Sequence, residues 1–134
     1  GLKLGYHTSQ RDTWVVMDGV VAFDVLMKDV DPSLLGVQLD LSTTLSRRVD
    51  PVTVIERYGS RIFSMHLRDG RTPAVPGDYV NALPLGTGEI DWHRVLGAAE
   101  KAGIGDYVVE MVTKGESDPE AGLRASARFL RNYG

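Results

Sequence analysis

The clearest pattern in the chain is an alternation of apolar and polar positions over residues 62–68. A period of two residues is typical of a β-strand with one buried face. The apolar face would contain Phe63, Met65 and Leu67, and the polar face Ser64, His66 and Arg68. The segment therefore predicts a strand that packs its apolar face on helices and presents ionisable groups on the other.

Three more segments predict strands, over residues 2–7, 35–41 and 106–111. Each of the four predicted strands has one imidazole or carboxylate at or near its C-terminal end. These residues are His7, Asp40, His66 and Glu110. Because parallel strands of β/α proteins all end at the same rim, the four side chains are expected to lie close together.

Helical patterns separate the predicted strands, over residues 22–28, 52–58, 91–102 and 119–131. Asp50-Pro51, Asp91 and Asp118-Pro119 begin the last three, because aspartate caps a helix N-terminus and proline suits its first turn. Gly59 is a candidate left-handed C-terminal cap. The alternation of strands and helices predicts parallel strands joined by right-handed crossovers.

The remaining segments are predicted to be loops or turns. Residues 14–17 form a candidate short strand, turned by Asp18-Gly19, and residues 42–49 are predicted to be a polar loop. The connection over residues 70–90 is long and rich in glycine and proline, which is typical of a functional loop. Within it, Gly86-Thr87-Gly88 predicts a turn that shapes the rim, with Trp92 packed beneath it.

Composition narrows the class of protein. The 134 residues have a formal net charge of −3, and no stripe of lysine and arginine indicates a nucleic acid or an anionic membrane as partner. No apolar run is long enough to span a membrane. The chain contains no cysteine, which excludes thiolate metal sites and fits a cytoplasmic protein.

The four rim residues form a mixed nitrogen and oxygen ligand set that suits Mn²⁺, Zn²⁺, Co²⁺ or Fe²⁺. The simpler alternatives are a structural histidine at His66, a helix cap at Asp40, and an ion pair of Glu110 with Arg68 or Lys114. Arg68 and Asp69 are candidate substrate-binding residues, and Arg68 could instead pair with Asp69 or Glu110. A bound ion would polarise a carbonyl, while a carboxylate such as Glu110 moves a proton between adjacent carbons.

Five short segments together resemble the sugar phosphate isomerase/epimerase family of xylose-isomerase-like TIM barrels. They are Gly5-Tyr6-His7, Gln38-Leu39-Asp40, His66-Leu67-Arg68-Asp69, the segment of residues 85–92, and Val108-Val109-Glu110. The resemblance implies one divalent metal ion, such as Mn, Zn, Co or Mg, and a small sugar or polyol substrate. Asp40, His66 and Glu110 match three family ligands. The fourth, a Glu in the family, is replaced here by His7, by Asp12 or by no ligand. Glu110 and His66 would be the catalytic residues.

A complete (β/α)₈ barrel needs roughly 250 residues, whereas this chain supplies four βα units. We therefore expect one α/β domain over residues 1–134, corresponding to the C-terminal half of such a barrel. An open half-barrel leaves strand edges unpaired, so it would be completed by a second copy or by a complementary half-barrel. The resemblance implies an isomerase or epimerase. The alternatives are a dehydratase or C-glycoside-cleaving enzyme, and a non-catalytic half-barrel that self-associates.

Overall fold

Four parallel strands form the central sheet of the protein. The computed structural model describes residues 4–112 and 118–133. In their order across the sheet, the strands are β1 (Leu4–His7), β4 (Leu35–Asp40), β5 (Ile62–Leu67) and β6 (Tyr107–Val109). The predicted strand over residues 2–7 is confirmed from Leu4 onward, and its first two residues lie outside the described residues.

Five helices connect or follow the strands in the described part of the chain. They are α1 (Ala22–Asp29), α2 (Leu41–Arg47), α3 (Pro51–Tyr58), α4 (Trp92–Lys101) and α5 (Pro119–Arg131). The side chains of Asp40, Asp50, Asp91 and Asp118 cap the last four by accepting backbone N–H hydrogen bonds. The capping predictions at the last three of these aspartates are therefore confirmed. They could be made from the sequence because a capping side chain contacts a backbone N–H only two or three residues further along.

A small hairpin precedes α1 and consists of β2 (Val16–Met17) and β3 (Val20–Val21). Asp18 and Gly19 both have positive φ angles, of 51° and 79°, which a two-residue hairpin turn requires. The predicted turn is confirmed, and of the strand predicted over residues 14–17 only Val16–Met17 form one.

The predicted polar loop over residues 42–49 is wrong, because most of it forms α2. Serine and threonine dominate this helix and four of them are buried, so its sequence has no apolar period to reveal it. The hydroxyls of Thr43 and Thr44 instead donate to the backbone oxygens of Asp40 and Leu41, each at 2.7 Å. These bonds satisfy the buried hydroxyls, and Arg48 ends the helix at a φ of 57°.

Two further predictions from local pattern are wrong. Phe63 does not share a face with Met65 and Leu67, because the register between β4 and β5 shifts at this point. Phe63 is 49% exposed, whereas Met65 and Leu67 are buried at 0% and 1%. Gly59 is right-handed, with a φ of −53°, and α3 continues into a short 3₁₀ turn.

The hydrophobic core lies between the sheet and the helices, and includes Val37, Leu39, Met65 and Leu67. The two outer strands are less protected, since Leu4 is 70% exposed and Val108 is 45% exposed. The four-stranded sheet is thus open at β1 and β6, as a half-barrel predicts. Across the described residues, no helix combines the length and apolarity needed to cross a membrane.

Candidate metal centre

The strand ends bring the four predicted rim residues to the same end of the sheet. His7 ends β1, Asp40 ends β4, and Glu110 directly follows β6. His66 pairs in register with Asp40 on the neighbouring strand. The expectation of a shared rim is therefore confirmed as geometry, because parallel strands place their carboxyl ends together.

His7, Asp40 and His66 form the tightest group at this rim. One ligand atom from each lies within 4.8 Å of the others. His7 Nε2 is 3.9 Å from Asp40 Oδ2, and the two imidazole centroids are 4.8 Å apart. Two ligand atoms bonded to one ion at about 2.1 Å can be separated by at most about 4.2 Å, so only a small inward movement would be needed. The donor set fits a divalent metal ion.

Asp40 uses its two carboxylate oxygens differently. Oδ1 accepts a hydrogen bond of 2.8 Å from the backbone N–H of Ser42 and so caps α2. Oδ2 lies 3.3 Å from Nη1 of Arg68 and faces His7. The helix cap that competes with metal ligation is therefore present, and it leaves the second oxygen directed toward the rim.

Glu110 contacts His66 directly. Its Oε2 is 2.8 Å from His66 Nδ1, and its Oε1 is 3.8 Å from Nη1 of Arg68. This is hydrogen-bonding distance, and within the described residues the candidate ligand group leaves Glu110 out. The simpler interpretation of Glu110, an ion pair with Arg68, is also present, whereas Lys114 lies outside the described residues.

Arg68 lies behind the rim and joins its two carboxylates. The residue is 7% exposed, and its Nη2 donates to the hydroxyl of Tyr79 at 2.7 Å. The Nε atom is buried and has no hydrogen-bond partner among the described residues. The contact of Arg68 with Glu110 agrees with the sequence-based expectation. Its contact with Asp40 on the neighbouring strand, and its contact with Tyr79 in the loop over residues 70–90, were not predicted.

Asp69 has a different environment from the one expected of a substrate-binding residue. It is fully buried, and its carboxylate accepts hydrogen bonds from five N–H groups at 2.9–3.3 Å. The donors are the backbone N–H groups of Gly70, Gly86, Gly88 and Ile90, and the indole N–H of Trp92. The geometry thus corrects the substrate-binding assignment: Asp69 anchors the loop because its oxygens are already occupied.

The same loop confirms the turn predicted at Gly86-Thr87-Gly88. Gly86 has a φ of 82°, and a side chain at Gly88 would collide with Asp69 and with the backbone oxygen of Gly70. Trp92 lies beneath the turn and is 4% exposed. Nearby, the backbone N–H of Thr72 hydrogen-bonds to Glu89 and holds the pKa of that carboxyl below its usual value.

Asp12, which the sequence offers as a substitute for His7, lies in different surroundings. Its Oδ1 is 3.3 Å from the hydroxyl of Tyr6 and 3.4 Å from that of Thr13. Within the described residues, the candidate ligand group includes His7 and leaves Asp12 out. Gln38 was predicted to lie on the same face as Asp40 and was given no function. In the structure its amide oxygen lies within hydrogen-bonding distance of His7.

Parallel strands with nitrogen and oxygen donors at their carboxyl ends define a half-barrel of the β/α class. The chain belongs to the xylose isomerase-like TIM barrel family, whose model matches residues 1–133. This confirms the resemblance and the fold class. The assignment to the C-terminal half remains a prediction.

Individual proteins of known sequence or structure are also similar to this chain. An inosose dehydratase of Geobacillus kaustophilus is 35% identical over 71 residues, which are 53% of this chain and 22% of that protein. A sugar phosphate isomerase/epimerase structure from Parabacteroides distasonis has a TM-score of 0.81 and 21% identity, covering 98% of this chain and 45% of that one. The IolI protein with a bound zinc atom has a TM-score of 0.61 and 19% identity, covering 81% and 40%. The chain thus spans less than half the length of these relatives.

Proposed function

We propose that this chain provides the metal site of a divalent-metal-dependent isomerase or epimerase that acts on a sugar or related keto-polyol. The observation that supports the proposal best is the group of His7, Asp40 and His66, whose ligand atoms lie within 4.8 Å of one another. Similar solved structures described as sugar phosphate isomerase/epimerases add support for the reaction class. A cytoplasmic location remains a prediction.

The ion would be held by Asp40, His66 and His7, with Glu110 as a further ligand beside His66. Two imidazoles with carboxylates suit Zn²⁺, Co²⁺ or Mn²⁺ better than Mg²⁺, which prefers oxygen. The zinc atom bound to the IolI protein supports a metal of this kind. When bound, such an ion supplies a Lewis acid that polarises a substrate carbonyl.

Glu110 is the residue to which we assign proton transfer, with His66 as its partner. The Glu110 carboxylate is 29% exposed, which leaves it reachable from the rim, and it lies 2.8 Å from the His66 ring. A carboxylate in this position can remove a proton from one carbon and return it to the next. Arg68 would orient Glu110 and Asp40 through its guanidinium, and its contact with a substrate phosphate or carboxylate remains a prediction.

A dehydratase is the second candidate, favoured by the 35% identity to an inosose dehydratase over 71 residues. The first step would be the same removal of a proton beside a polarised carbonyl, followed by loss of a neighbouring hydroxyl instead of return of the proton. Product analysis with keto-polyols distinguishes the two reactions. C-glycoside cleavage on the same fold, and a half-barrel without catalytic activity, stay predictions.

We further propose that the open sheet is completed by a second copy or by a complementary half-barrel. The support is the exposure of Leu4 and Val108 on the two outer strands, and of Phe63 on β5. Native mass spectrometry at low micromolar concentration measures this directly. A stable monomer there would argue against self-association.

The ligand assignment is tested by His66→Ala, with His93→Ala as the matched control. His93 is exposed near the start of α4 and contacts the ring of Tyr133. We expect His66→Ala to lose bound metal, measured by elemental analysis, while its circular dichroism spectrum stays unchanged. His93→Ala should keep its metal. Equal metal content in both variants would disprove the assignment of His66 as a ligand.

A further inference from the structure

Three polar side chains lie in a row across neighbouring strands, and one of them, His7, belongs to the candidate metal centre. Gln38 of β4 pairs in register with His7 of β1 on one side and with Ser64 of β5 on the other. Its Oε1 is 3.0 Å from His7 Nδ1, and its Nε2 donates to Ser64 Oγ at 2.9 Å. One amide therefore connects the partly exposed His7 to the buried hydroxyl of Ser64.

The position of the ring proton decides whether His7 can be a ligand. A neutral imidazole has one protonated nitrogen and one with a free lone pair, and only the second can bind metal. His7 Nε2 is the nitrogen that faces Asp40, at 3.9 Å, which is beyond hydrogen-bonding distance. A carbonyl oxygen at 3.0 Å from Nδ1 requires the proton on Nδ1.

We infer that Gln38 is a positioning residue that holds His7 in its Nδ1–H form, so that the Nε2 lone pair faces Asp40. Ser64 contributes by accepting from the amide nitrogen of Gln38, which directs the amide oxygen toward His7. A solvated histidine prefers the opposite, Nε2–H form. Without Gln38, the Nε2 atom of His7 would therefore carry the proton and would have no free lone pair for the ion. The inference rests on the proposed metal site, but the tautomer itself is a property of the metal-free chain.

The experiment compares the wild-type chain with Gln38→Glu and Gln38→Leu. Glutamate can only accept a hydrogen bond and keeps the ring in the Nδ1–H form, whereas leucine removes the acceptor at similar size. Long-range ¹H–¹⁵N spectra at pH 8 identify the protonated nitrogen of each of the three histidines. His66, which contacts Glu110, serves as the internal control and should not change.

We expect His7 to be Nδ1–H in the wild type and in Gln38→Glu, and to shift toward Nε2–H in Gln38→Leu. An Nε2–H form in the wild type would overturn the inference, because it would mean that the amide nitrogen of Gln38 faces the ring.

Zinc affinity is the second measurement, made by competition with a chromophoric chelator. Partners behind a metal ligand typically contribute about 10–100-fold in affinity. We expect a loss of at least about 10-fold in Gln38→Leu and less than about 3-fold in Gln38→Glu. If the wild type binds no zinc, the proposed function fails, while the tautomer of His7 still decides the inference. Equal zinc affinity in Gln38→Leu and wild type would overturn it.

Discussion

Two aspartates close to the ends of neighbouring strands are both buried, yet their surroundings are opposite. Asp40 ends β4 and is 2% exposed, and Asp69 follows β5 and is 0% exposed. Four backbone N–H groups of the loop over residues 70–90 and the indole N–H of Trp92, which begins α4, donate to Asp69. Asp40 receives one backbone N–H on Oδ1, while Oδ2 faces the guanidinium of Arg68 and the ring of His7.

The difference shows that burial alone does not identify a functional carboxylate. A buried charge must be compensated, and Asp69 obtains this compensation from four fixed backbone donors and one indole N–H. The side chains that surround Asp40 include two imidazoles at the rim, which are themselves metal ligands in other proteins. We therefore expect substitutions at Asp69 to change stability, and substitutions at Asp40 to change metal binding.

The largest effect on stability is expected from Asp69→Asn. An asparagine has only one acceptor oxygen. Its NH₂ group would face N–H groups that donate to the second carboxylate oxygen in the wild type. Each buried N–H donor left without an acceptor costs about 1–3 kcal/mol. Since these costs are not additive, we expect the free energy of unfolding to fall by about 4 kcal/mol. Urea unfolding of the metal-free chain measures it. A loss below about 1 kcal/mol would mean that Asp69 does not anchor the loop.

A smaller loss is expected from Gly88→Ala, which places a methyl group against the same carboxylate. The ideal Cβ would also lie 2.5 Å from the backbone oxygen of Gly70, so the loop would have to move. Overpacking of this kind costs about 1–3 kcal/mol.

Gly97→Ala is the matched control, because a Cβ there would meet no described atom within 4 Å apart from its chain neighbours and the backbone of its own helix. It lies inside α4, where alanine is favoured over glycine by about 0.5–1 kcal/mol. The two substitutions should therefore change the free energy of unfolding in opposite directions. If Gly88→Ala also stabilised the protein, the tight packing of the loop on Asp69 would be excluded.

The contrast between the two aspartates shows which features could be predicted from the sequence and which could not. Helix starts at Asp50, Asp91 and Asp118 were predictable because a cap is a contact between residues two or three apart. The shared rim was predictable because parallel strands end together. The role of Asp69 was not, since its donors include Trp92, 23 residues further along the chain.

Two other features were hidden for related reasons. The exposure of Phe63 depends on a register shift between two strands, which alternation within one strand does not show. Helix α2 was missed because its buried positions are serine and threonine, whose hydroxyls bond to the backbone of the same segment. Both depend on contacts that a period of two or 3.6 residues does not encode.

The smallest loss of stability, about 1–2 kcal/mol, is expected from Asp40→Asn. Asparagine caps a helix as well as aspartate does, so the bond to the backbone N–H of Ser42 can remain. The cost comes from Arg68, which loses a charged partner at 3.3 Å but keeps Tyr79 and the more distant Glu110. Metal binding should nevertheless weaken by more than about 10-fold, because ligand charge sets the affinity of such sites.

Zinc titration and urea unfolding of Asp40→Asn and Asp69→Asn therefore measure the same chemical change at two sites. We expect folded Asp69→Asn to keep its zinc affinity and Asp40→Asn to lose it. In urea unfolding, by contrast, Asp69→Asn should be the less stable of the two variants. Should Asp40→Asn bind zinc as the wild type does, Asp40 would be only a helix cap and a partner of Arg68. The two aspartates would then differ in the number of their donors and not in their role.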